Sequence, residues 1–295
     1  MDDLTPQPYG WTAMSAAPFG RNIPTRLLGA LTSIGLWIGA AICLLPMVWM
    51  VVSSLRPRSV APNQIFTGLD QLTLENYQNV FDRVPILQLF GNTILVCAAV
   101  LILQIGIGVP AAYALARIRF RGSRLMFWLV MLTLMVPSQV TILSVYIGFA
   151  NLGLVNTYAA LILPFGMSAF GVFLFYQFFR GLPHSLLDAA RVDGLSEWSI
   201  AWTIVFPLAR PAVTAFAIFS VVGRWNDFFW PLMMTQGFGI APITLGISYF
   251  ADAETGRDYG GQMALSTLAV LPLLIAFAFA QKRFVEGIAL TGLKG

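Results

Sequence analysis

Between Arg124 and Arg180 the chain runs for 55 residues without one charged side chain. A surface in water cannot be built from such a run, whereas a hydrocarbon core of about 30 Å is crossed by around 20 apolar helical residues. Only 10% of the 295 residues are charged and 58% are hydrophobic, against roughly 25% charged in an ordinary soluble domain, so the whole chain reads as a polytopic membrane protein. The uncharged intervals then count the spans. Arg26 to Arg56 encloses 29 residues and Arg83 to Arg117 encloses 33, one span each, expected over 27–54 and 88–116. The 55-residue run is split by the turn formers of "NLGLVNTY" into spans over 125–150 and 156–179. Tyr259 to Gln281 supplies a last span, expected over 260–281.

The region from Trp198 to Ala251 is apolar but carries Arg210, Arg224 and Asp227 and many prolines and glycines. Pro231, Gly237, Gly239, Pro242 and Gly246 make its second half a poor helix, so one span is expected over 211–230, followed by a loop. Six spans put Arg21, Arg26, Arg117, Arg119, Arg121, Arg124, Arg180, Arg191, Arg210, Lys282, Arg283 and Lys294 on one side. Only Arg56, Arg58, Arg83 and Arg257 fall on the other. The positive-inside rule makes the first side cytoplasmic, with both termini there, and a seventh span would break the pattern. The net charge of +4 is therefore read as topology and not as an affinity for nucleic acid. Cys43 and Cys97 sit inside apolar runs and are expected as small buried hydrophobes, with no disulfide.

One cytoplasmic stretch between the fourth and fifth spans stands out: "LDAARVDGLSEWSIAWTIVFP", Leu187 to Pro207. A short helix is expected here, capped by Ser185 and stopped in a left-handed conformation at Gly194. Ala189 and Ala190 would leave one face low enough for a neighbouring protein to approach, with Asp188, Arg191 and Asp193 as charged partners at the rim. The residues alone fit a solvated surface helix at least as well.

Their order narrows the choice. Asp188-Ala189-Ala190, three residues, Gly194, nine residues, Ile204 and Pro207 resembles the E-A-A-x3-G-x9-I-x-L-P loop of binding-protein-dependent ABC importer permeases. Asp188 stands where that family usually has Glu, and Phe206 where it usually has Leu. "LTLENYQNVF" at Leu72, "RWNDFFWPL" at Arg224 and the terminal "QKRFVEGIALTGLKG" resemble the carbohydrate-uptake branch, the relatives of the smaller maltose-transporter permease.

The resemblance implies an all-α integral membrane fold: a cytoplasmic tail over 1–26 and a transmembrane domain over 27–295. Its six helices would carry a cytoplasmic coupling helix between the fourth and fifth. It implies a bacterial inner-membrane location, a second homologous permease, two cytoplasmic ATPase subunits and an extracytoplasmic solute-binding protein. The solute would be a sugar, oligosaccharide, polyol or sugar conjugate, glycerol-linked and anionic ones included. Asp188, Ala189, Ala190, Arg191, Gly194 and Pro207 would meet the ATPase, and "TGLKG" resembles a tail that reaches between the ATPases. The loop over Thr235 to Ser248 matches in position one that enters the binding protein in the maltose relative. No G-x-x-x-x-G-K-[ST] phosphate loop occurs in the chain, so ATP and magnesium are expected on the partner and no cofactor here.

Pathway candidates come from polar residues at membrane depth. Arg224 and Asp227 share a helical face on the fifth span with Asn226 beside them, as a structural ion pair or a solute contact. Pro137, Ser138 and Gln139 interrupt the third span, and freed backbone there is tolerated only when buried or facing a cavity. His184, the single histidine, has no companions at metal-ligand spacing. One histidine and no intramembrane Glu give a membrane enzyme no constellation to work with, and a stand-alone secondary transporter or channel of six helices remains the alternative.

Overall fold

The computed structural model describes residues 25–58, 60, 64, 67–251 and 258–292. The N-terminal tail over 1–24, the surroundings of Arg257 and the last three residues of "TGLKG" lie outside them. Residues up to Trp49 form one unit and those from Met50 a second. In the first lies most of α1 (Thr25–Ser54), an apolar helix with Pro46 inside it. There Thr32 Oγ1 donates to the Gly29 carbonyl at 2.9 Å, which hides a hydroxyl on its own backbone.

The second unit is organised around α3. After α2 (Glu75–Arg83) comes the 32-residue α3 (Ile86–Arg117), and α4 (Ser123–Met135), α5 (Ser138–Asn151) and α6 (Tyr158–Ile162) follow. A 3₁₀ turn over Leu163–Phe165 and Ser168, whose hydroxyl accepts from Gly171 N at 3.1 Å, lead into α7 (Ala169–Arg180). Next come α8 (His184–Val192), α9 (Glu197–Ser199), a π-helical turn over Ile200–Val205 and α10 (Phe206–Leu208). The chain ends in α11 (Arg210–Trp225), α12 (Phe229–Met234), α13 (Ile243–Tyr249) and α14 (Tyr259–Gly292). The helix α3 packs on α7, α11, α13 and α6. Small residues allow close approach of helices in a medium where apolar side chains gain nothing by hiding from lipid. A Cβ on Gly171 would lie 2.7 Å from the Phe216 ring, and one on Gly246 2.5 Å from Leu89.

Among the described residues four helices are long and apolar enough to cross a membrane: Thr32–Ser54, Ile86–Arg117, Tyr158–Arg180 and Tyr259–Phe279. Two bent pairs, taken as one broken span each, bring the number to six. The first pair is α4 and α5, meeting at 102° where the chain was expected to cross over 125–150. Pro137 sits at this break in an extended conformation, so neither helix continues through it. The second pair bends by 81° where Glu197–Leu208 meets α11.

The fifth span was expected to run to residue 230, but α11 stops at Trp225. Asn226 turns its side-chain amide back onto the Val222 carbonyl at 2.8 Å, and short amides at a helix end compete in this way with the backbone ladder. Pro231, in the first turn of α12, has no N–H for the carbonyl of Asp227 four residues earlier. The Thr244 hydroxyl takes over that carbonyl at 2.8 Å and ties α13 to the turn. The segment after it is thus no simple loop. Ile243 is fully buried, while Phe238 and Ile240 pack, half-buried, on the bundle.

Candidate functional site

The loop helix α8 is fastened to the bundle from below by Arg117. The last carbonyls of a helix have no donors of their own, and Arg117, at the C-terminus of α3, donates from Nε to the Phe179 carbonyl at 2.8 Å and from Nη2 to the Leu182 carbonyl. Its Nη1 lies 2.9 Å from the His184 ring, so one guanidinium joins the ends of α3 and α7 to the first residue of α8. Helix α8 starts at His184 behind Pro183 with no side-chain cap, so the expected Ser185 cap is not made. Pro183 has already turned the chain, and its extended ψ of 133° sets the entry.

At the far end Gly194 adopts φ 82°, the left-handed conformation expected of it. Its N–H reaches the Arg191 carbonyl at 3.0 Å and Leu195 N the Ala190 carbonyl at 3.1 Å, which satisfies the helix end. Among the described residues, and apart from its two chain neighbours, nothing lies within 4 Å of where a Cβ on Gly194 would be.

Leu187 and Ala190 are buried in a core made by Tyr113, Phe175, Phe179, Ile200 and Phe216. This corrects the reading of Ala190 as part of the open face: at a spacing of three, Leu187 and Ala190 share the stripe that meets the bundle, and only Ala189 of the two alanines is exposed. Arg191 sits between two carboxylates, 2.8 Å from Asp188 and 2.8 Å from Glu197, and the Tyr113 hydroxyl donates to Glu197. The hydrogen bond from Arg191 to Glu197 raises the guanidinium pKa still further above its ordinary value, so Arg191 stays charged at any working pH. Arg191 thus holds the loop's own turn together, and Asp188 retains an exposed carboxylate. Pro207 is half-buried in α10, two residues before the bend at Ala209.

A second polar centre lies at the other end of α11. Arg224 Nη1 donates to Asp227 Oδ2 at 2.7 Å, and the guanidinium lies 3.6 Å from the centroid of the Phe165 ring. Asp227 has left the helix, so the pair meets across the turn and not along a continuous helical face. Thr93, Val96, Leu161, Trp230, Pro231 and Pro242 complete a crevice with room for about one water. Asn226, exposed, bonds the Val222 carbonyl of its own helix and, among the described residues, does not join the pair. Gln139 is exposed at the start of α5, and the side chain of Ser138 lies outside the described residues.

Several polar residues were missed because only charges were counted. Gln104 on α3 donates to the Phe165 carbonyl at 2.8 Å and accepts from Ser220 at 2.5 Å, joining α3 to α11 one turn from Arg224. Asn92 bonds the carbonyls of Ala241 at 2.9 Å and Gly239 at 3.2 Å and accepts from Tyr158, so the segment after α12 is clamped to α3. Polar side chains within an otherwise uncharged run were the available signal.

Comparison with known proteins gives these features a setting. The chain is 33% identical over 273 residues to the arabinooligosaccharides transport system permease protein AraQ of Halalkalibacterium halodurans, covering 91% of this chain and 98% of that one. It is 31% identical to the diacetylchitobiose uptake system permease protein NgcG of Streptomyces coelicolor, covering 90% and 88%. With the sn-glycerol-3-phosphate transport system permease protein UgpE of Escherichia coli O157:H7 it shares 30% identity over 85% of this chain and 92% of that one. The fold is similar to that in the crystal structure of a bacterial ABC transporter involved in the import of the acidic polysaccharide alginate. That likeness has a TM-score of 0.77 at 22% identity and covers 91% of this chain and all of the other. The family model for binding-protein-dependent transport system inner membrane components matches residues 104–289, which include the whole of α8 and the Arg224 turn. The chain belongs to that family, as a multi-pass inner-membrane permease subunit.

Proposed function

We propose that this chain is the permease subunit of an ATP-driven importer for a sugar, oligosaccharide, polyol or sugar conjugate, and that α8 passes motion of a cytoplasmic ATPase to the bundle. The observation that carries the proposal is α8 itself. It is a helix fixed at both ends, by Arg117 below and by the Arg191 turn behind, yet Asp188, Ala189 and Gly194 are exposed among the described residues. A lever needs this combination of firm internal attachment and a free outer face. The matching relatives named above carry arabinooligosaccharides, diacetylchitobiose and glycerol 3-phosphate, which supports the solute class and leaves the individual solute open.

In this reading a second permease completes the pathway, two ATPase subunits bind and hydrolyse ATP with magnesium, and a solute-binding protein delivers the solute outside. The fold neighbour crystallised with a periplasmic protein carrying an alginate pentasaccharide supports the last of these. The arginine distribution supports a cytoplasmic side for both termini and α8. Ala189, Asp188, Gly194 and, one bend removed, Pro207 would meet the ATPase, while Ala190 and Arg191 position the helix from within. Arg224 and Asp227 would line the outer end of the pathway. Purification of the tagged chain from its native membrane, with mass identification of its companions, tests this. An ABC ATPase and a second permease are expected, and recovery of the chain alone, where a control importer stays whole in the same detergent, would contradict it.

A further inference from the structure

Beside α8 the chain has an open cleft of about 640 Å³ that the importer reading does not use. It is lined by Arg117, Arg119, Arg121, Ser123, Arg180 and His184, and no acidic side chain takes part. Arg117 is spent on the carbonyls of Phe179 and Leu182. Arg119 and Arg121 are exposed and make no hydrogen bond or ion pair among the described residues, and Arg180 only leans over its own Tyr176 ring at 5.8 Å. Three guanidinium groups thus border one cleft with no counter-charge. The same cleft holds Ser123, the first residue of the 13-residue helix α4, which adds the positive end of a helix.

The surroundings say what kind of anion belongs there. The cleft sits at the ends of α3 and α7, where apolar spans give way to charge. From it α4 descends with Leu125, Trp128, Leu129 and Leu132 all more than half exposed, at the three- and four-residue spacing of one helical stripe. A free phosphate or nucleotide would make no use of that stripe, whereas an acyl chain would lie along it. We propose that the cleft is a binding site for the phosphate of an anionic phospholipid, with Arg119, Arg121 and Arg180 around the headgroup and the α4 stripe beside the chain. Because Arg117 and His184 form its wall, the lipid would sit against the anchor of α8. The proposal needs only the membrane placement of the family and takes its leaflet, the cytoplasmic one, from the importer reading.

The test uses the tagged chain with all that copurifies, placed in phosphatidylcholine nanodiscs doped with phosphatidylglycerol, and counts the lipid retained per chain by mass spectrometry after a detergent wash. Of the three arginines, Arg119 and Arg121 alone predict roughly thirtyfold enrichment of phosphatidylglycerol over phosphatidylcholine at a membrane surface. The enrichment is expected to fall at least tenfold in Arg119→Gln/Arg121→Gln, to persist largely in Arg119→Lys/Arg121→Lys, and to survive millimolar inorganic phosphate. Equal retention by wild type and the Gln variant would overturn the proposal. So would displacement by inorganic phosphate, which would make this a soluble-anion site, or enrichment seen for the chain alone and absent from the assembly, which would show a protein partner covering the cleft. Solute uptake in phosphatidylcholine alone is a separate readout: its presence keeps the importer reading whatever the lipid count gives.

Discussion

Gly194 and Gly171 are both glycines at helix margins, yet different physics holds them there, and substitution separates the two. At φ 82° and with open space around it, Gly194 would cost a valine about 1–2 kcal/mol of backbone strain and no clash. Gly194→Val is therefore expected to fold, reach the membrane and lose most uptake, because in the proposed function the added side chain would stand on the face that meets the ATPase. Normal uptake by a correctly inserted Gly194→Val would contradict that face. Gly171→Val puts its extra carbons into the Phe216 ring, and overpacking of that kind costs about 1–3 kcal/mol. Here the loss should appear as a lowered melting temperature in detergent. Asp188→Ala removes one exposed carboxylate that already shares Arg191 with Glu197, so uptake should fall less than in Gly194→Val, and the same transport assay decides. The role of Gly194 could be read from the sequence, since a glycine ending a short helix has few other uses. That of Arg191 could not. Nothing in a linear chain says that Glu197, six residues on, and Tyr113, on a different span, converge on it.

The elements show where counting by charge succeeds and where it stops. Long uncharged runs located α1, α3 and α14 and the Tyr158–Arg180 segment, because crossing a bilayer imposes length and apolarity together. The turn that follows α11 was hidden, because it is tied by a carbonyl. Asp227 would ordinarily accept from residue 231, that residue is a proline, and Thr244 replaces it from 17 positions away. Thr244→Val should leave the Asp227 carbonyl without that donor and cost about 1 kcal/mol or somewhat more. Pro231→Ala in the same chain offers a backbone N–H in its place and should recover part of the loss. Thermal melts of the two single variants and the double variant in detergent form the cycle, and strict additivity would show that the two residues do not share the carbonyl. The polar clamps from Asn92 and Gln104 were missed for a related reason: their partners are main-chain carbonyls, whose positions exist only once the helices have packed.

On the scale of the molecule, the chain is in the proposed function a converter. One end carries a helix held firmly from inside and bare outside, and α11 runs from near it to the Arg224 turn. If α8 moves as a body with the bundle, weakening its anchor should uncouple the two ends without removing either. Arg117→Ala frees the carbonyls of Phe179 and Leu182, so ATP hydrolysis by the purified assembly is expected to continue while uptake per ATP falls several-fold, and coupled uptake at the wild-type ratio would argue against the anchor. The claim beneath all of this is that α8 lies against an ATPase, and photo-crosslinking from position 189 in native membranes tests it directly. A reactive group at Ala189 should give one dominant adduct whose added mass is identified as an ABC ATPase, and the adduct should weaken in Gly194→Val. Adducts to lipid alone, or none, while the same group at exposed Leu87, at the end of α3 away from Arg117, reacts normally, would contradict that placement.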